Sequence, residues 1–261
     1  MSPSTLDDDI QLLRRAPMLA ACLDGPVSRS TIAERADCSR TTAYRATTEL
    51  VERGLLKRDN GGYRLTGFGM TVLDRLEELQ RGLDGARRLQ PVLEYIDEPV
   101  FREHAHLFSE ATVLEADAEA PYAIEQHLAS IIADTSERIH GVSTSFGSPI
   151  TLTRTAERVE AGVEFEWGLP QVVLKRLESQ YSELHTAVRT HDNTTVYALE
   201  DVVVDFSLYD DTLVVTGFDS DRGGLAAIAI SDDPEARAWA EALYSQYKEE
   251  AENLDSVVTS E

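Results

Sequence analysis

The sequence predicts an α+β chain in two parts. An N-terminal helical unit ends in a β-hairpin, and a C-terminal mixed α/β sheet domain follows. Three observations predict this. Residues 27–66 carry the signals of helix, tight turn, helix and hairpin in that order. From about residue 111, β-type runs alternate with helical runs. Charge divides at the same place: residues 1–90 hold 14 Lys+Arg against 13 Asp+Glu, and residues 91–261 hold 10 against 34. The formal net charge of -23 therefore belongs to the second part. With 261 residues and 42% hydrophobic content, the chain can fill two modest cores.

The elements follow in order. Asp7, Asp8 and Asp9 place negative charge at the start of a first helix, where the helix dipole favours it. Pro17 is expected to break or restart that helix before Met18. Asp24-Gly25-Pro26 closes the unit, and Ser28 or Ser30 caps a second helix whose Ile32, Ala33 and Ala36 face a core. Ala36-Asp37-Cys38-Ser39 is the turn. Ser39 caps the next helix, and Ala43, Ala46, Leu50 and Val51 form its apolar face. Its opposite face carries Arg40, Thr41, Thr42, Arg45 and Thr48. Arg can make a bidentate contact to guanine, and hydroxyls reach bases or phosphates, so this is the surface of a helix that enters a DNA major groove. Gly54 suits a helix C′ position. Two short strands, residues 55–58 and 63–66, flank Asp59-Asn60-Gly61-Gly62, and Asn-Gly tolerates the positive φ of a tight hairpin. Arg58 and Arg64 flank its tip, where phosphate or minor-groove contacts would form.

The runs Ser39-Arg40-Thr41-Thr42-Ala43-Tyr44-Arg45, Leu50-Val51-Glu52-Arg53-Gly54-Leu55 and Tyr63-Arg64-Leu65-Thr66 with Gly69 resemble the winged helix-turn-helix of archaeal and bacterial regulators. The candidate DNA-binding residues are Ser39, Arg40, Thr41, Thr42, Tyr44, Arg45, Arg58, Asn60 and Arg64. Beyond the wing, Val72, Leu73, Leu76, Leu79 and Leu83 stripe a further helix. The resemblance implies that this helix pairs with its copy in a homodimer; packing on its own domain would leave the same stripe. Residues 1–88 are thus read as the DNA-binding domain, 89–110 as a connecting helix, 111–254 as a regulatory domain and 255–261 as a flexible tail.

In the second part, strands are expected at residues 112–116, 142–146, 163–167, 195–199, 202–208, 213–218 and 225–230. Helices are expected at 121–139, 150–161 and 170–190, with a last one from Pro234 to Leu254. The expected sheet is parallel at first and antiparallel at its later edge. The order of elements and the ending Ser231-Asp232-Asp233-Pro234-Glu235-Ala236, with Trp239, Tyr244 and Tyr247, resemble archaeal regulators with a methanogenesis-regulator-type middle domain. They are more distantly similar to TrmB-like regulators. The resemblance implies a dimeric DNA-binding regulator with a sensor-like domain.

The chemistry of the second part points to binding rather than catalysis. There is no phosphate-binding Gly-rich motif and no His-X-Lys pair. His104 and His106 lack a third ligand nearby, so no metal and no cofactor are expected. Asp201 and Asp205 read as strand-edge charges without an acid–base partner. Ligands of α/β sheets gather beyond the C-terminal strand ends, here near Asp117, Phe146, Gly147 and Trp167. These residues are either a small-molecule effector site or core plugs and turn glycines. Arg222-Gly223-Gly224 is an anion-binding loop or simply a turn. Cys22 and Cys38 are read as reduced structural thiols.

No membrane span or signal-peptide h-region is present, so a cytoplasmic protein is expected. Only Lys57, Lys175 and Lys248 are lysines, and high Asp/Glu with few Lys resembles the proteome of salt-loving archaea. The leading reading is a double-stranded-DNA-binding transcriptional regulator, homodimeric and not an enzyme. The alternative is a protein-interaction module of the transcription machinery that does not itself read DNA.

Overall fold

The computed structural model describes residues 3–120, 122–145, 147–180, 191–219 and 224–258. The chain divides into two compact units, residues 1–81 and 82–261.

The first unit opens with α1, Pro3–Ala20. Pro17 lies inside this helix rather than breaking it. Proline costs least near a helix terminus, and here only one further turn follows it. In α2, Arg29–Arg35, the cap is Ser28, whose hydroxyl accepts from the Thr31 amide. In α3, Arg40–Glu52, Ser39 accepts from the Thr42 amide. The turn between them passes through Asp37 at φ 45°. Gly54, at φ 74°, ends α3 as a C′ residue in the left-handed region. Strand β1, Leu56–Asp59, then pairs with β2, Gly62–Leu65, across Asn60 and Gly61, both at positive φ. A core of Met18, Leu19, Ile32, Ala46, Leu50, Leu55 and Leu73 joins these elements. Helix α4, Gly67–Arg88, follows, and the division between the units falls within it.

The second unit is a mixed sheet built from β3, Thr112–Glu115; β4, Arg138–Val142; β5, Glu164–Pro170; β6, Thr194–Leu199; β7, Asp205–Tyr209; β8, Thr212–Asp219; and β9, Gly224–Ser231. The order across the sheet is β3-β9-β8-β7-β4-β5-β6. Strands β4, β5 and β6 are parallel, and the other pairings are antiparallel. This corrects one expectation. The first strand does not begin the parallel set; β3 lies at the opposite edge, antiparallel to β9.

Two further expectations change. Strand β4 runs over Arg138–Val142 instead of 142–146. Its start is held by Asp210, whose carboxylate accepts the amides of Ser136, Glu137 and Arg138 at 2.8–2.9 Å. Residues 89–110 do not form a connecting helix. They form α5, Gln90–Leu93, then α6, Pro99–Arg102, then a 3₁₀ turn over Ala105–Phe108. Leu89, Val92, Ile96, Phe101 and Phe108 are buried in the second unit's own core, so apolar burial draws the segment onto the sheet.

Each sheet face is covered. On one face lie α5, α6 and α10, Pro234–Val258, packed on Phe206, Leu208, Leu213, Val215 and Ala229. The backbone of α10 continues to Val258, past the point where a tail was expected. On the other face lie α7, Ala123–Asp134, and α8, Pro149–Glu160, packed on Ile139, Phe165, Tyr209, Val214 and Ile228. Helix α9, Gln171–Gln180, joins β5 to β6 on the chain, and residues 181–190 of the expected helix lie outside the described residues. Period-two alternation sorts the strand side chains: Phe165 and Trp167 face α7 and α8, while Glu166 meets Arg138 at 2.6 Å and Tyr244 of α10 at 3.0 Å.

Candidate functional site

Two regions carry the candidate functional residues, one in each unit. In the first unit, α3 presents Thr41, Arg45 and Thr48 at i, i+4 and i+7, with Arg40 and Tyr44 alongside. Arg40, Thr41, Tyr44 and Arg45 are exposed, and Tyr44 shows 55% of its surface. Among the described residues, Arg40, Arg45 and Arg58 make no ion pair, which leaves their guanidinium groups available to an anion. The inner face buries Ala43, Ala46, Thr47 and Leu50. Val51 is half-buried and packs on the same core, and Thr47 joins the buried row; its hydroxyl donates to the Ala43 carbonyl at 2.8 Å, which satisfies it in a buried place.

The remaining candidates have local duties. Ser39 caps α3, and its hydroxyl lies 2.8 Å from that of the half-buried Thr42. Asn60 shapes the hairpin turn. Arg64 is tied to Asp59 at 3.1 Å, so Arg58 and the exposed Lys57 are the unpaired cations of the wing. Sequence reasoning missed Arg29. Its Nε donates to Thr47 at 3.0 Å, and its guanidinium lies 4.3 Å from the Tyr44 ring centroid and 5.1 Å from that of Tyr63. One side chain from α2 therefore ties α3 to the wing and stacks on Tyr44. The positional signal was Arg directly after the Ser28 cap, which says nothing of where the side chain points.

In the second unit, a cavity of about 300 Å³ lies between the sheet and helices α7 and α8. Its walls include Leu128, Ile132, Ile139, Phe165 and Trp167, and its polar groups include Glu125, Ser143, Ser145, Asp205 and Ser207. Of the four expected ligand residues, Gly147 and Trp167 line this cavity. Asp117 does not; it accepts from the Glu119 amide at 2.9 Å in a local turn. Phe146 lies outside the described residues, as do Arg222 and Gly223.

Trp167 and Gly168 also sit inside β5 rather than at its end, since pairing with β6 continues to Pro170. Gly168 is there for closeness: a Cβ would meet Leu199 at 2.7 Å and Val142 at 2.9 Å.

Asp205 is not a strand-edge charge. It begins the buried strand β7 and is only 6% exposed. Its oxygens accept from the Thr144 amide at 2.7 Å and the Thr144 hydroxyl at 2.8 Å. Burial raises its carboxyl to about 6 in spite of the hydrogen bonds from Thr144 and Ser143, which pull the other way. The pattern that could have flagged Asp205 is an acid at the head of an otherwise apolar run, Phe206-Ser207-Leu208-Tyr209.

His104 serves the core: its Nδ1 lies 2.8 Å from the Val100 carbonyl, and its ring stacks on Trp239 at 5.5 Å. Cys22 is buried, and burial pushes its thiol up to about 11, far from a reactive thiolate. Among the described residues, no helix is long and apolar enough to cross a membrane.

Comparison with known proteins adds two matches and a set of structural likenesses. Residues 3–88 match the family model of the HVO_A0261 N-terminal domain. Residues 121–250 match that of the methanogenesis regulatory protein FilR1, middle domain. No curated protein sequence matches the chain. Among solved structures, the archaeal chromatin protein TrmBL2, described as showing a novel mode of DNA binding, is 14% identical over 96% of this chain and 99% of its own, with a TM-score of 0.43. NucT from Helicobacter pylori is 15% identical over 54% of this chain and 96% of its own, with a TM-score of 0.45. Nuc from Salmonella typhimurium, a phospholipase D family member, is 14% identical over 54% and 94%, with a TM-score of 0.40.

Proposed function

We propose that this chain, whose residues 3–88 match the HVO_A0261 N-terminal domain and whose residues 121–250 match the FilR1 middle domain, is a TrmB-like, sequence-specific transcriptional regulator that binds DNA as a homodimer and responds to a small molecule. The observation that carries the DNA-binding reading is the exposed, unpaired set of Arg40 and Arg45 on α3 with Lys57 and Arg58 on the wing, in a chain of net charge -23. A helix with Arg and Thr on its outer face reads base edges, and a basic hairpin steadies it on phosphates. The acidic second unit repels DNA and keeps the contact to the first.

Dimerisation is supported by Leu79 and Leu83 of α4, each about 45% exposed, and by Ile10 and Leu13 of α1, which are also exposed. Sensing is supported by the largely apolar cavity with a few polar groups, the ordinary makeup of a small-molecule site. A ligand there regulates only if it binds two DNA-binding states with different affinity. The acidic composition with three lysines supports a salt-loving host. At high internal salt, counterion release contributes little, and base contacts carry more of the affinity.

The test is genome-wide occupancy in the host, wild type beside an Arg40→Ala/Arg45→Ala double variant. The expected result is discrete peaks that share a two-fold-symmetric motif and vanish in the variant. Peaks that persist unchanged, or none in either strain, would move the function to a protein-interaction module of the transcription machinery.

A further inference from the structure

We propose that the cavity under α7 and α8 takes a small hydrophobic cation, an organic ammonium with an aromatic or alkyl body. The proposal rests on the reading of the second unit as a sensor and names the chemistry of what it senses.

The cavity holds two carboxyl groups that no cation among the described residues meets. Glu125 of α7 and Asp205 of β7 both line it, and among the described residues no Lys, Arg or His does. Among the described residues, the oxygens of Asp205 accept from neutral donors, Thr144 and Ser143. On the Glu125 side chain, Oε2 is buried without a hydrogen-bond partner among the described residues, and so is the hydroxyl of Ser145 at the cavity wall. A buried carboxylate in apolar surroundings is costly unless a cation or donors meet it. The orphaned oxygens mark where such donors are missing.

The rest of the wall selects the kind of cation. Leu128, Ile132, Ile139 and Phe165 would cover an apolar body. Trp167, stacked on Phe165 with ring centroids 5.5 Å apart, is the aromatic type that attracts ammonium groups best. Among the described residues no group of three or more His, Cys, Asp or Glu gathers as a metal site would require, so a bare metal ion is poorly served. An anion would face two carboxylates, and a neutral ligand would leave them unpaired. An alkylammonium donates N–H bonds to Glu125 and Ser145 and supplies the missing charge to Asp205.

The experiment is calorimetric titration of the full-length protein with three probes of one skeleton: 4-phenylbutylamine, 4-phenylbutanol and 4-phenylbutyrate. The amine is expected to bind at least tenfold more tightly than the alcohol, and the carboxylate most weakly. Glu125→Gln and Asp205→Asn should each weaken the amine at least fivefold and leave the alcohol unchanged; Glu125→Gln serves alone if the Asp205 variant does not fold. Equal binding of the alcohol or the carboxylate would overturn the cation assignment and leave a sensor for another ligand class. Absence of binding by all three probes would overturn it as well. The amine's effect on DNA affinity is read separately: tight binding with no change there supports the cation site and removes the sensing role.

Discussion

Two side chains show how much a single residue can decide here. Arg29 combines a hydrogen bond to Thr47 with stacking on Tyr44 and Tyr63. Its planar fork makes both contacts at once, which a lysine cannot. Arg29→Lys is expected to lower stability by about 1–2 kcal/mol and to weaken DNA binding through a loosened Tyr44 and wing; chemical denaturation and fluorescence anisotropy on one preparation check both. On the DNA side, Arg45→Ala should cost about 1–3 kcal/mol and relax sequence preference at one position. Arg58→Ala should instead weaken all sequences alike, and a selection experiment with each variant separates the two.

Asp205 works in the opposite direction. Its carboxyl rises from 3.8 to about 6 on folding, so the folded chain prefers the protonated form. The corresponding stability is present below about pH 4 and lost as pH rises through about 6, on the order of 3 kcal/mol by pH 7. Asp205→Asn, neutral at every pH, should therefore melt higher than wild type at pH 7.5 and match it near pH 4. A melting difference that does not vary with pH would refute this account. Added amine ligand should shrink the difference at pH 7.5, because a cation in the cavity stabilises the ionised form.

At the scale of elements, the first unit was legible because its signals are local. A Ser cap and the amide it receives lie three residues apart, and an Asn-Gly hairpin is decided within four. Gly69 belongs to the same motif, yet its reason is tertiary: a Cβ there would collide with the Leu55 carbonyl oxygen. Gly69→Ala is expected to destabilise the first unit by about 1–3 kcal/mol, in spite of alanine's better helix propensity. Thermal unfolding checks the sign; a stabilised variant would mean that the helix start can shift away from the wing. Strand limits in the second unit were less legible. Strand β4 begins at Arg138 because Asp210, in a turn more than 70 residues later, receives three amides there. The segment 89–110 went wrong for a related reason. Its apolar residues suit either one exposed helix or several short turns buried on a sheet, and periodicity alone does not choose.

The whole molecule separates charge. A near-neutral unit with a few unpaired arginines precedes a strongly acidic one that holds a cavity. In the proposed dimer, α4 supplies apolar contact through Leu79 and Leu83. Leu79→Glu/Leu83→Glu should convert the dimer to monomer in sedimentation velocity and abolish preference for two-fold sites while a single half-site still binds weakly. A variant that sediments as wild type would place the dimer contact elsewhere.

By itself the sequence determined the two-part layout, the winged helix-turn-helix with its outward arginines, and the alternation of strands and helices that builds an α/β sheet. Caps, turns and periodicities are written in windows of a few residues, and charge partition is a matter of counting. Only the tertiary structure decided that β3 closes the far edge against β9, that Arg29 stands between Tyr44 and Tyr63, and that Asp205 is buried beside a cavity. The partner that holds Asp205, Thr144, is 61 residues away in the chain. Contacts of that range leave no local pattern, because burial and pairing arise only when distant strands and helices are packed together.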